Sequence, residues 1–461
     1  MFQVSVTNQN AVADIRPSLP SRCGPLLLGS ALAGQAITYA RGTYTEAAVL
    51  CVVTGLLVVL HNFARSLQRE SRALGDAGLV ASLLWIALFA MLWTAINDSN
   101  IIIYAHRPWV IGKKAQWLSL FLLATYVPWI TGSIREPPVL GWVRFAGFLG
   151  LVLLVGIDTI HCSPAPRIDV WGIQMQGAEA LRHGKNPYQV VAAQDTGPGT
   201  LKDAVPYVYP PTQVYVTLLG WLLGDVRYSM LGAVLIAALA MRFITARSGL
   251  PSFAKDAPAL FLLLTPKLFF ILEQAWVDPV QVMFIALGLA AAARWRLVLA
   301  AVLFGIAGSS KQTMFWVPAL AGFCLSFRFR HWLVLGVSAV LPLLPFLLWD
   351  FKALKYANFD VLNGLPYRAD ALTLNNWALF NLQFDIPGSV GFILAATVVA
   401  LSCWKLRGPA QLGTAVAATY YVFFAFNRWA FANYYFLISG LLALAAAASC
   451  STWRGTTSIR T

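Results

Sequence analysis

Long apolar runs broken by short polar stretches repeat along almost the whole chain. Candidate spans lie at 24–40, 47–64, 78–96, 115–133 and 142–158, each approaching the roughly twenty residues that cross hydrocarbon. A polar stretch covers 159–207. Further apolar runs lie at 229–246, 258–272, 277–294, 297–310, 313–327, 332–349, 388–404, 412–427 and 432–449. This pattern predicts an all-α polytopic membrane protein of about fourteen transmembrane helices. No signal-peptide pattern precedes them, because Met1–Arg22 is polar.

Basic residues in short loops predict the orientation. With the N-terminus inside, Arg16, Arg22, Arg65, Arg69, Arg72, Arg135 and Arg144 fall inside, and 159–207 falls outside. Residues 211–224 (PTQVYVTLLGWLLG) decide the remainder. Read as a re-entrant or interfacial helix, they keep Arg242, Arg247, Lys255, Arg294, Arg296, Arg328, Arg330, Lys405, Arg407 and Arg454 inside. The loop with Arg107, Lys113 and Lys114 stays outside, against the bias. Loops 159–207 and 350–387 and the turns Leu272–Pro279, Ser309–Gln312 and Asn427–Tyr435 then share the outer face. Unusual polar chemistry begins only after Gly141. Residues 1–141 are therefore expected to form an accessory bundle of about four spans, with 142–461 as the core.

Composition supports the membrane reading. Hydrophobic residues make up 59% and charged residues 11%, against roughly 25% charged in a soluble domain. The net charge of +14 fits the inside bias and contact with anionic lipid. No basic stripe interleaved with exposed aromatics points to nucleic acid. The six cysteines are scattered, and the histidines lack ligand spacing, so neither disulfides nor a metal are indicated.

The richest polar stretch is Arg167–Gln189, RIDVWGIQMQGAEALRHGKNPYQ. Its spacing predicts a short helix along the membrane surface, opening at Asp169 and stopping near Gly184, since Asn186-Pro187 forbids continuation. An acid at a helix start is favoured by the dipole, so capping is the plain alternative for Asp169. The chain then enters VPYVYPP, Val205–Pro211.

An acid after a span, then G-x-N-P-Y, then Y-P-P opening an apolar run resembles the bacterial GT-C glycosyltransferases, specifically the mannosyltransferase-like family that uses polyprenyl-phosphate sugars. LEQAWVDP (Leu272–Pro279), SSKQ (Ser309–Gln312), LPYRADALTL (Leu365–Leu374) and FANYYF (Phe431–Phe436) extend the resemblance over Trp142–Ala447. Two features depart from the family. Four spans precede its core, and the acidic pair of some relatives is missing, because Val170 follows Asp169.

The resemblance implies a GT-C-like fold in the bacterial inner membrane, with both termini cytoplasmic and the active site outside. It implies inverting transfer of a hexose or pentose, such as mannose, from a polyprenyl-phosphate donor to a glycan or lipid-linked acceptor. A carboxylate must take the acceptor's proton as the bond forms, which assigns the base to Asp169 or, alternatively, Asp158. Charge on the departing phosphate needs preorganised donors. Lys311, Arg368, Arg428 and Lys267 are the candidates, against simple snorkelling or, for the arginines, pairing with Asp370 or Asp360. Glu273, Gln274, Trp276, Asp278, Gln312, Tyr188 and Tyr209 are candidate substrate contacts, the rival reading of Trp276 being an interfacial anchor. No cofactor is called for, and no divalent metal is indicated. A transporter for lipid-linked sugars and an envelope-assembly scaffold remain the alternatives.

Overall fold

A computed structural model describes residues 22–68, 77–98, 101–130, 137–191 and 206–451. The basic residues Arg16, Arg69, Arg72, Arg135 and Arg454, and 192–205 of the outer loop, lie outside the described residues. Apart from an isolated bridge between Thr43 and Ala371, the regular structure described is helical. The chain begins with α1 (Cys23–Ala36), α2 (Glu46–Leu67), α3 (Ala77–Asn97), α4 (Val110–Ala124), the single turn α5 (Val127–Ile130) and α6 (Pro138–Cys162). It continues through α7 (Asp169–Arg182), α8 (Pro211–Trp221), α9 (Arg227–Thr245), α10 (Ser252–Leu263), α11 (Leu268–Glu273), α12 (Asp278–Ala293) and α13 (Leu297–Gly308). The last third holds α14 (Trp316–Cys324), α15 (Phe329–Val340), α16 (Leu344–Lys355), α17 (Val361–Asn363), α18 (Leu374–Leu382), α19 (Ser389–Lys405), α20 (Pro409–Ala425) and α21 (Ala432–Ser451).

Among the described residues, five helices are long and apolar enough to span a bilayer, and six if the bent α15–α16 pair counts as one. They place the chain in a membrane. Leu50, Leu57, Leu83, Ile86, Val139 and Val143 point outward from α2, α3 and α6, the arrangement expected where hydrocarbon is the solvent. Three apolar runs are not continuous helices. Run 115–133 ends as α4 at Ala124, and Pro128 lies in the separate turn α5. Run 258–272 splits at Thr265-Pro266 into α10 and α11, while 332–349 bends by 53° around Pro342. Proline removes an N–H and clashes with the preceding turn, so each break falls beside one.

The first helices pack against the last ones. One continuous apolar core runs from Cys23 to Cys450. Helix α1 lies along α21, where Ser30 Oγ donates to the Ser439 carbonyl at 3.0 Å and Ser439 Oγ returns to Ser30 at 3.1 Å. In hydrocarbon, small residues and shared hydrogen bonds take over the cohesion that water exclusion supplies elsewhere. Tyr421 of α20 similarly donates to the Val52 carbonyl of α2 at 3.1 Å.

Helix α6 defines the two ends of the bundle, since Arg144 and Asp158 on it are about 21 Å apart at 1.5 Å per residue. At the Arg144 end, Arg242 pairs with buried Asp256, which also accepts from Tyr126 at 2.7 Å. Segment 211–225 stays at the Asp158 end. Thr212 bonds Ser309 at 2.8 Å as the segment begins, and Arg227 just beyond it reaches the Ile160 carbonyl at 3.4 Å. Helix α8 is about 16 Å long.

Candidate functional site

The polar groups converge at the Asp158 end. Helix α7 opens at Asp169 and ends as its residues dictate, with Gly184 at φ 67° and Lys185 N–H donating to the Ala180 carbonyl at 2.9 Å. Ile168 is the residue before the helix, so Asp169 is its first helical residue, and its Oδ1 accepts from Val170 N–H at 2.8 Å. Gln174 holds α7 to the Leu272–Pro279 turn through the Ala275 carbonyl. Trp171 donates to Asp225 at 3.3 Å. The Asp169 carboxyl is pushed above its ordinary value by burial, opposed by the Val170 N–H and by the nearby Arg368 charge.

Arg368 is forked onto Asp370 at 2.8 and 2.7 Å and packs over Phe431, its guanidinium carbon 4.8 Å from the ring centre. The salt bridge expected as the alternative for Arg368 is present. It does not isolate the guanidinium, because Asp370 draws it higher while Asp169 still lies within its field. The Arg368 loop is anchored from three sides. Tyr44 N–H donates to the Asp370 carbonyl at 2.9 Å, Leu372 N–H to Ala430 at 2.8 Å, and Tyr435 OH to Leu372 at 2.6 Å.

Lys311 follows α13, and its Nζ donates to Asp278 Oδ1 at 2.7 Å. Asn433 completes the acid's coordination at 2.9 Å to Oδ2, and the Tyr434 ring lies 4.5 Å from the ammonium. Lys311, Asp278 and Asn433 are all buried. Lys311 and Asp278, read as contacts to donor phosphate and sugar, are thus each other's partners. Tyr209 joins the two centres, for its phenol lies in the fields of Asp169, Asp278 and Tyr434 together.

The other candidates disperse. Glu273 is fully buried, taking the N–H groups of Ile103 and Tyr104 at 2.9 and 2.8 Å, with Gln274 donating to it at 3.2 Å. It anchors the 101–106 loop. Asp158 accepts Gly112 N–H at 2.9 Å and so holds the start of α4, with Arg107 at 3.5 Å. Lys267 is buried against Asp98, and exposed Arg428 faces Asp385 at 3.6 Å rather than Asp370 or Asp360. Gln312 braces the Val208 carbonyl and, at 3.2 Å, Asn358. Tyr188 donates to the Tyr209 carbonyl at 2.8 Å, and Trp276 packs edge-on against Phe270.

Tyr104, Arg41 and Arg167 were not singled out as site residues. Tyr104 lies in the fields of Asp169, Arg41 and Arg167. Among the described residues, Arg41 and Arg167 have no ion-pair partner, and both are exposed. Ala40, Arg41 and Gly42 turn through left-handed backbone at φ 44°, 59° and 77°, a conformation costing about 1–3 kcal/mol per non-glycine residue. Gly42 is obligatory here, since a Cβ would lie 2.7 Å from the Ala432 main chain. The missed signal was a cation in an outward loop, against the charge bias. Among the described residues no group of three or more His, Cys, Asp or Glu is placed to hold a metal ion.

A group raised in the folded state adds stability below its unfolded value and loses it as pH rises through its folded value. Asp169 therefore costs stability at neutral pH. Asp169→Asn is expected to melt no lower than the wild type at about pH 7, the difference vanishing below about pH 4. Thermal unfolding in detergent checks this. A variant melting far lower would make the carboxylate a structural anchor.

No protein-family model, curated protein or solved structure matches the chain.

Proposed function

We propose that this chain is a GT-C-type glycosyltransferase that moves a hexose or pentose from a polyprenyl-phosphate donor to an acceptor hydroxyl outside the membrane. The reading has α1, α4, α10, α12, α13, α14, α19 and α20 cross as well as the long helices and the bent pair, for about fourteen spans. The observation that carries it is the position of Asp169, a carboxyl raised by burial at one end of the bundle, with Arg368 in its field.

In an inverting displacement, the acceptor oxygen attacks the anomeric carbon as Asp169 takes its proton. The bond to the phosphate breaks, and the lipid phosphate leaves with the electron pair. Arg368 supplies positive charge near Asp169, with Arg167 two residues away along the chain, where arginine suits phosphate oxygens. Lys311 and Asp278 support the neighbouring wall, and Tyr209 connects it to Asp169. Clustering at one end also favours an enzyme over a transporter, whose polar groups gather near mid-depth.

The test is purified protein incubated with radiolabelled polyprenyl-phosphate hexoses and pentoses and an envelope-glycan extract. A new labelled glycan is expected. Label that crosses vesicles without forming a new covalent product would replace this reading with transport.

A further inference from the structure

A second polar feature lies at the same end. Between the C-terminal end of α6 and the turn joining α8 to α9 lies an open cleft of about 620 Å3, within the range of small-molecule sites. Arg107, His161, Pro164, Gly224, Asp225 and Tyr228 line it.

Its floor is rigid. Asp225 is buried and held by Arg227 through Nε at 2.9 Å and Nη2 at 2.7 Å, by Arg227 N–H at 2.8 Å and by Trp171 at 3.3 Å. The walls are wet and adaptable. Arg107 is 54% exposed and touches Asp158 only at 3.5 Å, leaving most of its N–H groups for a ligand. His161 Nε2 and the Tyr228 hydroxyl share a hydrogen bond of 3.1 Å. Gly224 adds no side chain to the turn and takes φ 103°. Asp225 is balanced by Arg227, and Arg107 by Asp158, so no strong net charge is presented. Donors, acceptors and one aromatic face without net charge suit a neutral, hydroxyl-rich ligand.

Two segments connect this cleft to Asp169. The loop that places Arg107 in the cleft also places Tyr104 in the field of Asp169. It is fixed between them by His106 N–H on the Cys162 carbonyl at 2.8 Å. On the other side, the chain runs from Pro164 in the cleft wall through exposed Arg167 to Asp169 within five residues. Trp171, two residues after Asp169, bonds Asp225 in the cleft floor at 3.3 Å, so a ligand seated in the cleft lies along the helix that opens at Asp169.

We propose that the cleft is a glycan subsite holding the sugar residues of the acceptor next to the one that reacts. The placement beside Asp169 rests on the glycosyltransferase reading; the binding of a neutral oligosaccharide does not. The test is ligand-observed saturation-transfer NMR on the full chain in nanodiscs, with hexose, pentose and N-acetylhexosamine trisaccharides as probes. At least one probe is expected to bind. Tyr228→Ala and His161→Ala should each weaken it at least tenfold, Tyr228→Phe by less, and Asp169→Asn by under twofold. Absence of binding by every probe would overturn the proposal, as would binding unchanged in Tyr228→Ala and His161→Ala. Binding lost in these variants without any measurable sugar transfer would keep the subsite and remove the enzymatic reading. Transfer that survives them with an unaltered acceptor KM would remove the subsite and keep the enzyme.

Discussion

On the glycosyltransferase reading, Asp169→Asn is expected to cut sugar transfer by about 10²–10⁴-fold, the usual contribution of a positioned general base. The amide keeps the size of the side chain and can still accept from Val170 N–H, but it cannot take the acceptor proton. Asp158→Asn is the contrasting variant. Its carboxylate is committed to Gly112 N–H and Arg107, so transfer should persist while stability falls by about 1 kcal/mol, as for a lost helix cap. Initial rates at saturating donor, with membrane insertion verified for both proteins, decide the matter. Near-normal rates for Asp169→Asn together with collapse for Asp158→Asn would exchange the two roles.

Lys311→Ala should be the most destabilising of the single substitutions considered. Its ammonium is the cation held against buried Asp278, and removing one partner of a buried pair costs about 3–5 kcal/mol. Asn433 would remain as a hydrogen-bond donor to the acid, but an amide does not neutralise a carboxylate. Melting in detergent should drop clearly for Lys311→Ala and recover in part when Asp278→Ala is added. If Lys311→Ala instead melted with the wild type and lost only donor affinity, the ammonium would belong to the donor phosphate.

Much of the local structure was legible. Gly184 and Asn186-Pro187 announced the end of α7, and Arg368 found Asp370 because the two are separated by a single residue. Pro128, Pro266 and Pro342 were visible in the runs that break, yet an apolar count does not register them, and the continuous spans drawn there were too long. Pairings between distant segments were not legible. Lys311 and Asp278 are 33 positions apart, Asn433 and Asp278 are 155 apart, and Glu273 meets Tyr104 across 169 positions. Nothing within a turn of Glu273 shows that a loop from the first quarter of the chain would consume its carboxylate. The packing of the first helices was not legible for a related reason, because α1 lies along α21 and α2 meets α20, both far off in sequence.

Composition and apolar periodicity by themselves determined a helical membrane protein, and local spacing determined that a helix would begin at Asp169. Those properties depend on hydration, backbone geometry and neighbours within a few residues. Only the tertiary structure decided which charges neutralise each other and which remain available. That outcome depends on which helices lie side by side, and burial makes each such choice costly to leave unpaired. Lys311 and Glu273 were thereby drawn into the framework, while Arg368 came to lie within the field of Asp169.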